Sequence, residues 1–502
     1  MLKTIKLISR KSDLAKIQAH LVSTELKHKF PDLEVELIFK STLGDNDLTT
    51  PLNKMPDIGV FTSDIKKDLI SGRGDLAVHS WKDLPVDTEP GTFICGTLQR
   101  ADMRDMLFLK KSSRHKTDLE ILSSSPRREK NLSDFLPNAL PNELTDISFH
   151  DVRGNIQTRF TKLMNGKQDG LVVAKAAIDR ILKSQTDEFK VGRELLREAL
   201  KTLNWMVMPL SVNPCAAAQG ALALEIRTED TELRSMIESI SDSSAFKLVE
   251  EERLILKSYG GGCHQKIGAS VESFEIGQVK TVKGETEDGE EIDERVFEPK
   301  EEVKDFFEGV KNNSYFPKNT GEQIFFKREP VLESDSVLRN LKNTGVYISR
   351  SNALGNKISL DDSNCVWASG LGTWKTLAKR KVWVNGCSDS LGERNSPEEN
   401  PFEDMNWLKL SHANNKDETK KILATYNLNP IDLDPKIKEN THFYWMSSTA
   451  FERAISVYPE ILKAKHATGL GKTFEKIQSL APNKVMPFLN YEDWLTQIEK
   501  HS

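Results

Sequence analysis

The chain has 502 residues, of which 38% are hydrophobic and 29% charged, and its formal net charge is −5. These values are typical of a soluble globular protein with about three or four domains of ~100–200 residues each. The acidic balance argues against bulk nucleic-acid binding, and no apolar run reaches the length of a membrane span. Residues 1–4 lead directly into a strand pattern, without the apolar core of a signal peptide.

The cysteines are odd in number and include no C-x-x-C pair: Cys95, Cys215, Cys263, Cys365 and Cys387. This usage argues against a disulfide framework and against a zinc ribbon. We therefore expect a cytoplasmic protein with no metal site.

The first strand–helix unit offers an anion site. Residues 2–9 alternate apolar and polar side chains, as a strand does, and a helical pattern covers residues 13–30. Ser12 suits the N-cap of that helix. Free backbone N–H groups at the helix start and the Arg10 guanidinium would together attract an anion. An ordinary turn with a surface arginine is an equal alternative.

A second strand at residues 34–39 is followed by a long polar loop over residues 41–58. Ser63 suits the cap of a helix that ends near Gly72. A short apolar strand from Asp75 then stops at a polar cluster that holds Ser80, Lys82 and Asp83. Ligands of open α/β sheets bind beyond the carboxyl ends of strands, so these side chains are placed for chemistry. A solvated turn is the alternative.

The chain then crosses to a second domain, where two more strand–helix turns carry hydroxyls and guanidiniums. The candidate anion-binding residues are Ser123, Ser124, Ser125, Arg127, Arg128, Arg153, Gly154, Asn155 and Arg159. Arginine suits carboxylates because its planar fork can bond both oxygens. Surface basic pairs are the alternative. Gly166 ends the second of these helices, and residues 170–174 predict a buried strand.

Residues 208–221 predict the return to the first domain, with Cys215 as a packing residue. A helical pattern over residues 244–257 leads to three glycines, 260–262, and then to Cys263. Such a cysteine can be a nucleophile, an attachment point or simply a buried thiol. Asp288-Gly289 predicts a hairpin turn within an acidic edge.

In the last third, strands are predicted at residues 345–349, 366–369, 382–384 and 442–446, and Ser447–Thr449 suits a helix cap. A Gly-Leu-Gly run with a nearby threonine occurs at residues 370–373 and 469–473, which indicates a weak internal repeat. Glycine–hydroxyl turns at helix starts suit carboxylate binding through backbone N–H groups. They suit plain β–α connections equally well.

Five motifs over residues 1–310 resemble those of the porphobilinogen deaminases (hydroxymethylbilane synthases). They are Ala-Val-His-Ser-x-Lys-Asp-x-Pro at 77–85, the hydroxyl–arginine run at 123–128, Arg-Gly-Asn-x-x-x-Arg at 153–159, the Pro-Ala-x-Gly-Gln-Gly-like run near 214–220, and Gly-Gly-Cys with Ile-Gly at 261–268.

The resemblance implies an α/β fold with two periplasmic-binding-protein-like domains and a small α+β domain that carries the cofactor cysteine. It implies a dipyrromethane held on Cys263 through a thioether, and Asp83 as the catalytic carboxylate. Porphobilinogen and this cofactor would be bound by Arg10, Ser12, Ser80, Lys82 and the second-domain residues named above. The expected domains are 1–98 with 203–224, 99–202 and 225–310, followed by a linker at 311–334.

This sequence departs from the family pattern at four positions. Ser123 replaces a usual Thr, Pro126 a usual apolar residue and Ala218 a usual Gly. Ile58 replaces a loop lysine that members usually carry, and Lys54 is the nearby cation that remains.

Residues 335–502 resemble uroporphyrinogen-III synthase, a two-lobed α/β enzyme, but more loosely. The resemblance implies that Ser447, Ser448 and Thr473 hold substrate carboxylates. Whether this part is an enzyme or a structural module stays open. A periplasmic-type binding protein fits the first two domains but would not need Cys263. We expect a monomer that binds neither nucleic acid nor membrane.

Overall fold

The structure is a computed structural model that describes residues 2–41, 63–86, 90–260, 265–301, 303–312, 314–322, 324–393, 405–417 and 419–501. The chain divides into two compact units. The first comprises residues 1–137, 142–272 and 280–295, and the second comprises residues 138–141, 273–279 and 296–502. Among the described residues, no helix has both the length and the apolar character needed to cross a membrane.

The first sheet of the first unit has five strands: β1 (Thr4–Arg10), β2 (Glu34–Lys40), β3 (Leu76–Ser80), β4 (Thr92–Gly96) and β10 (Leu222–Arg227). Their order is β2-β1-β3-β10-β4, and β10 is antiparallel to both of its neighbours. Helices α1 (Asp13–Lys29), α2 (Ser63–Ile70) and α7 (Thr231–Ile240) accompany this sheet. Ser12 caps α1 by accepting a hydrogen bond from the Ala15 N–H (3.4 Å), which confirms the predicted cap.

A second five-stranded sheet contains β5 (Asp105–Lys110), β6 (Asp118–Leu122), β7 (Asp146–His150), β8 (Gly170–Ala174) and β9 (Leu203–Val207), in the order β7-β6-β8-β5-β9. Its helices are α3 (Pro126–Ala139), α4 (Ile156–Asn165), α5 (Lys175–Lys183) and α6 (Lys190–Thr202). Strand β9 pairs antiparallel with β5, although the sequence placed residues 203–207 with the first domain.

Helix α8 (Ser243–Ser258) precedes a three-stranded sheet of β11 (Gly268–Phe274), β12 (Gly277–Glu285) and β13 (Glu291–Pro299). The hairpin turn predicted at Asp288-Gly289 is confirmed. The Gly289 N–H donates to the Thr286 carbonyl oxygen (3.1 Å), and Gly289 takes a φ of +82°, which favours glycine.

The second unit holds two further sheets. A parallel sheet has the order β14 (Tyr315–Phe316), β21 (His442–Trp445), β22 (Lys465–Thr468), β23 (Val485–Pro487). A six-stranded sheet has the order β15 (Phe326–Pro330), β20 (Lys421–Pro430), β19 (Trp407–His412), β16 (Gly345–Ile348), β17 (Cys365–Ala368), β18 (Gly386–Cys387). The helices are α9 (Glu333–Arg339), α10 (Leu371–Lys379), α11 (Ser448–Val457), α12 (Lys472–Leu480) and α13 (Tyr491–His501). The predicted α/β class is confirmed.

Two details of the second unit differ from the sequence-based predictions. The stretch 311–334, where a linker was predicted, contains β14 and β15. The two-residue β14 is too short, and β15 too polar, to be recognised as a strand from the sequence. The strand predicted at residues 382–384 is wrong, because the pairing with β17 starts later, at Gly386. A Cβ at Gly386 would lie 2.2 Å from the Trp367 ring, so that glycine lets the ring lie against the backbone.

Candidate active site

The loops that follow β1 and β3 form one small cavity. These strands are parallel neighbours, so their carboxyl ends meet at the same edge of the sheet. The cavity has a volume of about 80 Å³, and its lining includes Arg10, Ser12, Ser80 and Asp83. Gln18 Nε2 lies 2.9 Å from Ser80 Oγ and fixes that hydroxyl. Four predicted residues, two from each of two separate stretches of the chain, therefore share one cavity in the first unit.

Lys82 is half-buried next to Asp83 and donates to Gln219 Oε1 (3.0 Å). Burial is the largest influence on Lys82 and lowers its pKa. The Asp83 carboxylate acts in the opposite direction, and the Arg128 guanidinium lowers the pKa further. Lys82 therefore lies among charges of both signs, and Asp83 is the carboxylate that most favours its charged form.

Arg127 and Arg128 converge on Asp105, a fully buried residue at the start of β5. Arg127 Nη2 and Arg128 Nη2 each donate to one Asp105 oxygen at 2.7 Å. The amides of Asn213 and Gln219 add bonds of 2.9 Å. Burial alone would raise the pKa of Asp105, but the two guanidiniums outweigh it and hold that pKa far below its ordinary value. This carboxylate fixes both arginines in place.

The three serine hydroxyls of the β6–α3 loop have structural partners. Ser124 Oγ donates to the Val152 carbonyl oxygen (2.9 Å) and accepts from the Val152 N–H (2.8 Å). Ser123 Oγ accepts from the Ser125 N–H (3.3 Å), and Ser125 Oγ accepts from the Arg128 N–H (3.4 Å). Ser124 therefore ties the loop after β6 to the loop after β7, so that the two arginine motifs stand side by side.

The second arginine motif surrounds the start of α4. Asn155 caps the helix by accepting from the Thr158 N–H (2.9 Å). Gly154 takes a φ of +111°, and a Cβ there would meet Thr158 at 2.7 Å. Arg159 Nε donates to the Gly154 carbonyl oxygen (2.8 Å). Burial, with the charges of Arg128 and Arg153, lowers the pKa of Arg159 to about 10, while Asp83 opposes the shift.

The dipyrromethane implied by the sequence is a polycarboxylate, and these residues fit it. The electrostatic neighbours in this site include five cations, Lys82, Arg127, Arg128, Arg153 and Arg159, against the two carboxylates of Asp83 and Asp105. The Arg128 Nε is buried and has no hydrogen-bond partner among the described residues. A site with surplus positive charge suits a ligand that brings its own carboxylates.

Cys263 lies outside the described residues, as do Lys54 and Ile58. The chain on either side of the cysteine is described. Gln265 Nε2 donates to the Tyr259 carbonyl oxygen (2.6 Å), which brings the two ends of the loop together. A Cβ at Gly268 would lie 2.3 Å from the Pro214 carbonyl oxygen and 2.9 Å from Arg127 Cδ. The glycine of the Ile-Gly pair is thus packed against the Arg127 network.

In the second unit, the predicted residues Ser447, Ser448 and Thr473 line a single cleft of about 570 Å³. Ser447 caps α11 by accepting from the Ala450 N–H (3.2 Å), as predicted. Gly471 precedes α12 and contacts Gly392 across the cleft, where a Cβ on Gly392 would lie 2.9 Å from Gly471 Cα.

An ion cluster lies beside this glycine contact, with the side chains of Asp417 and Lys409 buried and that of Lys472 exposed. Asp417 accepts from Lys409 Nζ (3.0 Å) and from Lys472 Nζ (2.9 Å). Glu393 lies 2.6 Å from Lys409 Nζ and 3.4 Å from Lys472 Nζ. We call the part around each of the two sheets of the second unit a lobe. Because Lys472 begins α12, which lies between β22 and β23 of the parallel sheet, while Lys409 belongs to β19 of the six-stranded sheet, the cluster joins the two lobes.

Sequence reasoning missed several residues that the structure brings to these sites, among them Gln18, Asp105, Asn213 and Gln219. Gln18 is a polar residue inside a helical pattern, which carries no signal of its own. Asp105 begins a strand whose other buried residues are apolar, and a buried acid in that position is itself an indication of paired cations.

Comparison with known proteins gives a consistent result for the first part of the chain. Residues 5–235 match the family model described as "Porphobilinogen deaminase, dipyromethane cofactor binding domain". Porphobilinogen deaminase of Chlorobaculum parvum is 34% identical over 311 residues, which cover 60% of this chain and 91% of that protein. The Chlorobaculum tepidum enzyme is 35% identical and covers 53% of this chain and 79% of its own length.

Solved structures give only distant likenesses. YhfZ from Shigella flexneri covers 51% of this chain with 11% identity and a TM-score of 0.25, and 98% of its own chain is matched. The methionine binding protein MetQ covers 50% with 11% identity and a TM-score of 0.28, with 96% of its own chain matched. Both scores are too low to support an argument. The family model and the sequence relatives show that the chain contains the dipyrromethane cofactor binding domain and belongs to the porphobilinogen deaminase family.

Proposed function

We propose that this chain is a hydroxymethylbilane synthase that joins four porphobilinogen molecules head to tail, with release of ammonia, on a dipyrromethane attached to Cys263. The observation that carries the proposal is the position of Asp83. Asp83 shares a cavity with Arg10, and it interacts electrostatically with Arg159 on α4. One carboxylate among fixed cations suits a substrate that is acidic and passes through a cationic state.

Porphobilinogen carries acetate and propionate arms, so each added unit brings two carboxylates. Burying them without partners would be prohibitive. Arg128, Arg153 and Arg159 supply fixed positive partners, and Asp105 keeps Arg128 from turning away. When the C–N bond of the protonated aminomethyl group breaks and ammonia leaves, the positive charge stays on the pyrrole. Asp83 stabilises that cation and holds its pyrrole N–H while a carbon atom of the growing chain attacks it.

The dipyrromethane, when bound, supplies the anchor and the first carbon nucleophile. Its carboxylates would be held by Arg10, Ser80, Lys82 and the guanidiniums of the second sheet. Ser124 and Asn155 act indirectly, because they fix the loops that carry Arg128 and Arg159.

Replacing Asp83 tests the catalytic assignment. Asp83 is exposed, so Asp83→Asn should fold normally and lose turnover. Asp134→Asn, an exposed position on α3, is the matched control and should keep the wild-type rate. Intact mass before substrate addition would report the attached cofactor. Full activity in Asp83→Asn would refute the assignment.

We also propose that the C-terminal third has uroporphyrinogen-III synthase activity. The support is the cleft of about 570 Å³ that is lined by Ser447, Ser448 and Thr473 at the starts of two helices. The purified chain would be incubated with porphobilinogen and the porphyrin isomers separated after oxidation. Mainly isomer III would support both activities. Isomer I alone would favour a deaminase whose C-terminal part is a structural or interaction module.

A further inference from the structure

The cations of the C-terminal cleft fall into two groups. Lys409 and Lys472 are neutralised by Asp417 and Glu393, as described above. Arg328, on β15, and Arg350, just after β16, also line the cleft. Neither guanidinium has a carboxylate partner among the described residues of the second unit.

The two arginines act on the same part of the cleft. Burial lowers the pKa of Arg350, and the charge of Arg328 lowers it further. His412 responds to both: burial lowers its pKa first, and Lys409, Arg328 and Arg350 add to the shift. Its Nδ1 is buried without a hydrogen-bond partner. An uncompensated positive region therefore exists on the wall formed by the six-stranded sheet.

The opposite wall also favours anions. The start of α11, with Ser447, Ser448 and Thr449, lines the same cleft. N–H groups in the first turn of a helix have no partner within the helix, and the helix dipole adds partial positive charge there. The cleft thus has two arginines on one wall and a helix N-terminus on the other, with a volume suited to a ligand larger than a single pyrrole.

We infer that Arg328 and Arg350 are the specificity-determining cations of this cleft and bind carboxylate arms of a linear or cyclic tetrapyrrole. The inference rests on the proposed synthase function and extends it, since the sequence assigned only hydroxyl residues there. A guanidinium pair without internal counter-ions selects a ligand with at least two carboxylates over one with a single charge.

The test measures binding directly, on the full chain. Uroporphyrin III, an octacarboxylate, is titrated by fluorescence into wild type, Arg328→Gln, Arg350→Gln and the charge-matched control Lys436→Gln, whose residue is exposed and outside the cleft. The first unit is unchanged in all four proteins, so any difference belongs to the cleft. We expect the affinity of the cleft for uroporphyrin III to fall at least about tenfold in both arginine variants. The control should bind uroporphyrin III as tightly as wild type.

Wild-type affinity in both arginine variants would overturn the inference. Arg328 is exposed, so Arg328→Gln provides a readout even if Arg350→Gln fails to fold. The isomers formed from porphobilinogen test the proposed function separately. Weakened binding in the variants together with isomer I from wild type supports the arginine site and rejects the synthase activity. Isomer III from wild type with unchanged binding in the variants rejects the arginine site alone.

Discussion

Arg100 donates both of its terminal nitrogens to Glu252, with two bonds of 2.7 Å, in the buried interior of the first unit. The same carboxylate accepts from the backbone N–H groups of Ala218 (2.9 Å) and Val271 (3.0 Å). Glu252 belongs to α8 and Val271 to β11, while Arg100 and Ala218 lie in the two segments that connect the five-stranded sheets. One carboxylate therefore joins four separate parts of the chain.

Removing that charge should be costly. Glu252→Gln leaves Arg100 buried without its partner, and we expect a loss of about 3–5 kcal/mol in the free energy of unfolding. Glu250→Gln, at an exposed position on the same helix, should change it by less than about 0.5 kcal/mol. Urea unfolding followed by circular dichroism would compare them. Equal stability of the two variants would contradict a central role for Glu252.

Ala218 replaces a glycine of the deaminase motif, and its φ of +70° lies in the left-handed region that favours glycine. The left-handed conformation costs about 1–2 kcal/mol for a residue with a Cβ. Ala218→Gly removes that strain but also loses a buried methyl and adds chain entropy, so the net change should be near zero. Ala217→Gly also loses a buried methyl and adds chain entropy, but it removes no strain. We expect Ala217→Gly to be less stable by about 1–2 kcal/mol, measured by urea unfolding. Equal effects of the two substitutions would contradict strain at Ala218.

Lys82 should limit activity at alkaline pH. Burial is the main reason that its pKa is lowered, so its charge is lost below the ordinary value as the pH rises. Binding of the substrate carboxylates should weaken through that range, and KM for porphobilinogen should increase. Arginine keeps its charge to higher pH, so Lys82→Arg should move this increase upward in a pH series of steady-state rates. An identical alkaline limb in both proteins would exclude Lys82 as its origin.

The ion cluster of the second unit predicts sensitivity to acid. Burial of Asp417 would raise its pKa, but the hydrogen bonds from Lys472, Thr419 and Lys409 outweigh it, and the net shift is downward. A lowered folded-state pKa stabilises the protein at neutral pH, and the contribution is lost as the pH falls below about 4.

Thermal unfolding followed by tryptophan fluorescence between pH 7 and 3 would measure this loss. Asp417→Asn should lower the unfolding temperature at neutral pH and flatten its dependence on pH. Asp432→Asn, an exposed position, should keep the wild-type slope. A wild-type slope in Asp417→Asn would show that other carboxylates control the acid response.

Much of the fold could be predicted because local signals agreed with it. The Ser12 cap, the buried strand at residues 170–174 and the glycine at 289 each follow from short-range chemistry. The candidate site was harder to predict. The sequence showed that Arg127 and Arg128 are adjacent, but not that Asp105 would hold both. That contact depends on two strands and a crossover meeting in space.

In the second unit, the prediction found the hydroxyl residues of the cleft but not its charges. Arg328 lies on a strand, Phe326–Pro330, whose residues are mostly exposed and polar, so no periodicity marked it. Lys409 is buried inside β19, where an apolar residue would be expected. Its partner Asp417 lies eight positions later and compensates it only once the following loop has folded back.

The contact between Gly392 and Gly471 at the rim of the C-terminal cleft is made by the main chain alone. Because two main chains touch at that rim with no side chain between them, the contact can open only by separation of the backbone segments around Gly392 and Gly471. The adjacent Lys472 ion pairs resist such separation, and dissolved salt would weaken them. Salt should therefore have opposed effects on an acidic ligand: it weakens the electrostatic attraction that draws the ligand in, and it makes the opening of this rim easier.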